Sequence, residues 1–202
     1  MYKLIGSLKT RAFRVLWMLE ELQLEYQHIP AAPHSEEISK LNPSGKVPAL
    51  LVGDDVILDS VAICQFLADK HNALTHQAGT IERAKQDSWT HFALDDVETA
   101  LWTFAKHKFV LPKELRVADI TKSTKYDFDR AMVSLETRLG NQEFVAGNQM
   151  TVPDIVLCHC ANWAQNGPKW DIPKGPVLDY VERLRSRPAY KKAFQLREAE
   201  VG

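Results

Sequence analysis

Strand-like apolar patterns are confined to the first 72 residues of this chain, and every apolar pattern after Asn72 has helical spacing. That one-way switch restricts the fold to a small α/β unit followed by a run of helices. In the first unit, residues 2–6 read as a strand. From Arg11, the positions of Ala12, Val15, Leu16, Leu19 and Leu22 predict an amphipathic helix. Residues 25–29 are a second strand closed by Pro30, and residues 35–41 are a short helix. It stops before Asn42-Pro43, because a residue preceding proline avoids helical geometry. Residues 47–52 and 55–58 are strands flanking Gly53-Asp54, a hairpin signal. Residues 60–71 form a helix with Val61, Cys64, Leu67 and Ala68 on one face. Residues 73–79 form a polar linker. One long helical pattern then covers 80–109 through Leu94, Val97, Leu101 and Phe104. A second runs through Phe128, Met132, Leu135 and Leu139 to Gly140, a third covers 151–165, and one or two more fill 175–196 around Arg187-Pro188. The expected division is an α/β domain over 1–76 and an all-helical domain over 77–202.

Composition removes several function classes. With 45% hydrophobic and 25% charged residues the chain can bury a sizeable core. A formal net charge of -1 gives no electrostatic reason to expect a nucleic acid or an anionic membrane as partner. Apolar runs such as 47–52 are far too short to span a bilayer. The N-terminus lacks the apolar stretch and cleavage site of a signal peptide. Three cysteines in no framework spacing fit a reducing compartment, so a cytoplasmic protein is expected.

The most informative stretch is Asn42-Pro43-Ser44-Gly45-Lys46-Val47-Pro48-Ala49-Leu50. A proline entering a strand cannot donate to the ladder. Either Pro48 sits on an ordinary strand edge, or a cis Val47–Pro48 bond turns the backbone so that Val47 offers its N–H and C=O to an extended ligand peptide. The second is Leu58-Asp59-Ser60-Val61-Ala62-Ile63. Ser60 stands where a helix N-cap belongs, and free N–H groups there suit an anion, while Asp59 suits an ammonium. Together they match an α-amino acid head group; the plainer reading is that Ser60 only caps the helix.

These motifs, the helix from Arg11 to Leu22, and Gly147-Asn148-Gln149-Met150-Thr151-Val152-Pro153-Asp154-Ile155 together resemble the glutathione S-transferases, of the bacterial type. Thr151 and Asp154 have capping-box spacing. The resemblance covers essentially the whole chain and departs from the usual Glu-Ser pair at Asp59. It implies a thioredoxin-like N-terminal α/β domain plus an all-α C-terminal helical domain. It also implies glutathione as co-substrate with no metal, and a small hydrophobic electrophile as second substrate. A cytoplasmic homodimer working in detoxification completes what it implies. Position by position, it assigns Val47 to the cysteinyl backbone of glutathione, Asp59 and Ser60 to the γ-glutamyl group, and Lys46 and His34 to the glycine end.

A free thiol ionises near pH 8.5, so a transferase must stabilise its thiolate, and a hydroxyl at the start of the first helix can do so. The family uses Tyr, Ser or Cys there; this chain offers Ser7 and Thr10, serine- or threonine-like, and simple helix capping is the competing role of each. The absence of Cys between Gly6 and Arg11 removes thioredoxin and glutaredoxin chemistry. Cys158-His159-Cys160 lies on a helix where side chains two apart diverge, so zinc is not expected. Conjugation is the leading activity. Glutathione-dependent peroxide reduction, isomerisation or ether cleavage, and a noncatalytic binding protein of the same fold, are the alternatives.

Overall fold

A computed structural model describes residues 1–200. It divides into two compact units, one of Met1–Gln77 with the segment from Arg185 onward, the other Ala78–Leu184. Helical spacing alone assigns that last segment to 77–202; its packing groups it with the α/β residues.

The α/β unit is built on a four-stranded sheet of order β2-β1-β3-β4, with β1 (Tyr2–Ile5), β2 (Tyr26–Ile29), β3 (Ala49–Val52) and β4 (Asp55–Leu58). β1 and β2 run parallel, joined through α1 (Ala12–Glu21), as the long crossover between parallel strands requires. β3 and β4 are antiparallel to their neighbours. The short helix α2 (Glu36–Leu41) buries Ile38, and α3 (Ser60–His71) follows β4. Leu4, Trp17, Leu50, Ile63 and Leu67 are fully buried in this unit. Ile5, Ala31, Ile38 and Ala49 form a core cluster on which Val47 and Leu58 pack. The mixed sheet with helices is the thioredoxin-like arrangement expected for the first unit.

In the second unit, Thr80 caps α4 (Ile81–Phe92) by accepting the Arg83 N–H at 3.2 Å. The single helix expected over 80–109 is interrupted: α4 passes through a π-helical segment at Ala93–Glu98 into α5 (Thr99–Ala105), and a second π segment follows at Lys106–Val110. Thr99 Oγ1 donates to the Leu94 carbonyl at 2.9 Å, a link across five residues that suits the wider turn. α6 (Ile120–Leu139) ends at Gly140, whose φ of 54° a side chain would strain. α7 (Val152–Asn166) opens with the expected capping box. Asp154 is wholly buried and accepts from Thr151 N at 2.7 Å, Thr151 Oγ1 at 3.1 Å, Val145 N at 3.0 Å and the Tyr180 hydroxyl of α8 (Pro176–Ser186) at 2.8 Å. Burial and the neighbouring carboxylate push the Tyr180 phenol well above its ordinary range, so it remains a donor. Among the described residues, no helix is long and apolar enough to cross a membrane.

The chain then returns to the α/β unit as α9 (Pro188–Ala199), which runs along α1. Arg187 makes a bidentate ion pair with Glu21, both contacts at 2.7 Å, and Lys192 reaches Glu20 at 2.7 Å. Tyr190 sits edge-on to Trp17 with ring centroids 5.0 Å apart. The start of α9 therefore lies at the end of α1, so the two helices are antiparallel.

Candidate functional site

The strand register aligns Ile29, Ile5, Ala49 and Leu58 in one row across the sheet. Segments flanking the sheet at that row carry every residue assigned to glutathione or to its thiol: Ser7 and Thr10 after β1, His34 after β2, Lys46 and Val47 before β3, and Asp59 and Ser60 after β4. Gly6, at φ 138°, brings the first and third of these together. A Cβ built on it would lie 2.9 Å from Val47 Cβ, so only glycine permits this approach.

The Val47–Pro48 peptide bond is cis, the second of the two readings above. The loop before it is organised by the buried Asn42, whose side-chain amide donates to the Lys46 carbonyl at 2.8 Å. Its oxygen accepts the Ser44 N–H at 3.0 Å and the Ser44 hydroxyl at 2.8 Å. Lys46 is exposed and Val47 half-buried. His34, itself at φ 64°, donates its N–H to the Gly45 carbonyl at 2.7 Å. Its ring lies over Gly45, where a Cβ would fall 2.2 Å from Nδ1. His34 is thus placed beside Lys46 by the backbone of its neighbour.

At α3 the structure corrects the sequence reading: the N-cap is Asp59, and Ser60 is the first helical residue. Asp59 takes φ 71°, and its Oδ1 accepts the N–H groups of Val61 at 2.8 Å and Ala62 at 3.1 Å. The carboxylate reaches those two amides because it leads the helix by one position, and it passes over the amide of Ser60. Ser60 is buried, and its Oγ accepts from Arg14 Nη1 at 3.3 Å. Arg14, wholly buried within α1, is a component that the sequence reading missed. The available signal was a cation inside the apolar run Phe13 to Leu19. Cys64, one turn further along α3, is buried, and burial pushes its thiol up to about 12; the charges of Arg14 and Asp59 also act on it.

The two candidate activators sit in one turn and both donate within the protein. Ser7 Oγ donates to Glu200 Oε2 at 2.8 Å, and Thr10 Oγ1 donates to the Ser7 carbonyl at 2.6 Å. Thr10 Oγ1 also accepts the Ala12 N–H at 3.2 Å, while the N-cap position of α1 is Arg11. Glu200 and His28 are further residues that the sequence did not indicate: His28 Nε2 lies 2.8 Å from the Gly6 carbonyl and must carry the proton, since that oxygen only accepts. Cys158 and Cys160 are buried in α7, within the helical unit. In that unit, Phe104 and His107 line a cavity of about 290 Å³ with Lys108, Arg116, Val117 and Thr121.

Residues 10–70, which include α1, the Asn42–Leu50 stretch and the start of α3, match the model of the glutathione S-transferase N-terminal domain. Glutathione S-transferase hmp2 of Hypomyces subiculosus is 31% identical over 169 residues, covering 76% of this chain and 77% of that protein. Glutathione S-transferase theta-3 of Mus musculus is 33% identical over 183 residues, covering 84% of this chain and 68% of its own length. This chain belongs to the glutathione S-transferase family. A solved glutathione transferase, URE2P8 of Phanerochaete chrysosporium with oxidized glutathione, superposes with a TM-score of 0.83 at 25% identity, covering 98% of this chain and 95% of that one. In this member of the family, Asp59 serves as the cap of α3. Its Oδ1 reaches amides two and three residues ahead, as short capping side chains do.

Proposed function

We propose that this glutathione S-transferase conjugates the thiolate of glutathione to a small, hydrophobic electrophile. The observation that carries the reading is the single row of strand ends that collects Ser7, Thr10, His34, Lys46, Val47, Asp59 and Ser60 at one end of the sheet. The Val47 N–H and C=O pair with the cysteinyl backbone as an added strand would. Asp59, with Oδ1 engaged in the cap, offers Oδ2 to the γ-glutamyl ammonium. The Ser60 amide and hydroxyl, with the Arg14 charge behind them, take the adjoining carboxylate. Lys46 and His34 face the glycine carboxylate. The thiol proton leaves to solvent, and the Ser7 or Thr10 hydroxyl donates to the sulfur. The new S–C bond forms as the leaving group departs with its electron pair, or, in an addition, as the adjacent carbon takes a proton.

A second reading, a glutathione-binding protein without turnover, is favoured by one feature: both candidate hydroxyl protons are engaged inside the protein. Calorimetric titration with glutathione, run beside conjugation of an activated aryl halide and reduction of an organic peroxide, separates the readings. Binding with conjugation supports the first, binding with neither turnover supports the second, and turnover of peroxide alone moves the activity to reduction. The proposal extends to a cytoplasmic homodimer, twofold pairing being the commonest assembly. Sedimentation showing only a 22.9 kDa species at micromolar concentration would remove the dimer.

A further inference from the structure

We propose that Glu200 is a clasp on the Ser7 turn that holds the Ser7 proton away from a bound thiol and so restrains thiolate formation. The inference rests on the glutathione reading above and adds to it a positioning residue 193 positions away from Ser7 in sequence.

Three contacts define the clasp. The Glu200 side chain is only 7% exposed. Its Oε2 accepts the Ser7 hydroxyl at 2.8 Å, and both its oxygens lie 3.0 Å from the Leu8 N–H. His28 Nε2 stands 3.7 Å from Oε1 while donating to the Gly6 carbonyl, so the facing imidazole is tied to the same turn. The carboxylate is delivered by the packing of α9. Arg187 is locked on Glu21 at the far end of α1, Tyr190 lies against Phe13 and Trp17, and the antiparallel course brings Glu200 to the turn before α1.

The chemical consequence follows from proton counting. A serine hydroxyl has one proton and two acceptor lone pairs. With that proton on Glu200, Ser7 Oγ can only accept, which suits a neutral S–H and gives nothing to a thiolate. The Glu200 charge, beside the turn and shielded from water, also disfavours a second negative charge there. Thr10 is no ready substitute, because its proton lies on the Ser7 carbonyl. For Ser7 to serve the sulfur, its hydroxyl must rotate off Glu200, and the strength of that bond then sets how easily the thiol ionises.

The test is the pH titration of glutathione thiolate absorbance on the full-length protein, wild type against Glu200→Ala and Glu200→Gln. A unit charge a few ångströms away moves a titration midpoint by at least about half a pH unit even at the dielectric of water, and by more where water is excluded. Both variants are therefore expected to ionise bound glutathione at least half a pH unit lower, and to turn over about threefold faster below the wild-type midpoint. Adding Ser7→Ala to Glu200→Ala should shrink the gain to the share due to the lost charge alone, an outcome that a merely structural role for Glu200 does not give. Midpoints equal to or above wild type, or a gain undiminished by the loss of Ser7, would overturn the proposal. Should wild type bind no glutathione, the glutathione reading falls by itself. The clasp is then decided by hydrogen exchange at the Leu8 amide, expected to speed up at least tenfold in Glu200→Ala; unchanged exchange overturns it.

Discussion

Replacing Asp154 by alanine removes one carboxylate and strands several donors at once. Val145 N–H, Thr151 N–H and the Tyr180 hydroxyl all end on this buried group, at 3.0, 2.7 and 2.8 Å. A buried donor left without its partner costs roughly 1–3 kcal/mol. Three of them place Asp154→Ala at about 4 kcal/mol or more, a large share of the 5–15 kcal/mol that typically stabilises a folded protein. Asp154→Asn keeps the volume and one acceptor but points an NH₂ at a donor, so about 2–3 kcal/mol is expected. Tyr180→Phe takes away one donor and leaves the carboxylate its other bonds, so about 1 kcal/mol is expected. Urea denaturation followed by circular dichroism, at unchanged slope, measures all three. The reasoning is refuted if Asp154→Ala lies within about 1 kcal/mol of wild type, or if Tyr180→Phe costs as much as Asp154→Ala.

Further outcomes follow from the α/β unit. Because Asp59 rather than Ser60 caps α3, Asp59→Ala should cost about 1 kcal/mol of stability as well as glutathione binding, read by melting and calorimetry together. Ser60→Ala should weaken glutathione by about 10- to 100-fold while its melting point falls less than that of Asp59→Ala; normal binding by Ser60→Ala would assign the residue to packing alone. Thr10→Val and Ser7→Ala, compared by thiolate absorbance against pH, should split: the true donor's variant ionises the thiol at higher pH and turns over more slowly with little change in affinity. If both titrate like wild type, neither hydroxyl activates the sulfur. The Cys64 thiol is raised in the fold to about 12, so its contribution to stability is complete below about pH 9 and is lost as pH climbs toward 12. Over that window wild type should lose about 4 kcal/mol more than Cys64→Ala, since each pH unit between the unfolded and folded midpoints is worth about 1.36 kcal/mol; parallel stability curves for the two proteins would contradict it.

The sequence by itself determined the features whose causes are local. The switch from strand to helical spacing at Asn72, the turn at Gly53-Asp54 and the Thr151-Asp154 capping box each depend on residues within a few positions of one another, and each is found where the spacing placed it. The Asn42–Leu50 stretch was legible for the same reason, since Asn42 holds its own loop through Ser44 and Lys46. What spacing could not decide was any partnership made across distance, or between competing neighbours. Spacing put the cap at Ser60, and the backbone at φ 71° instead aimed Asp59 at Val61 and Ala62. The helix over 80–109 had one unbroken apolar pattern, but the Thr99 N–H and hydroxyl both bond the Leu94 carbonyl, five residues back, in a π turn. Spacing did not mark Arg14, and only the packing of α3 placed Ser60 beside it. Nothing in the spacing marked Glu200, and only the docking of α9 on α1 carried its charge to Ser7. Hydrophobic period records which face of an element is buried; it holds no record of which distant polar group waits there, because that depends on how whole elements pack.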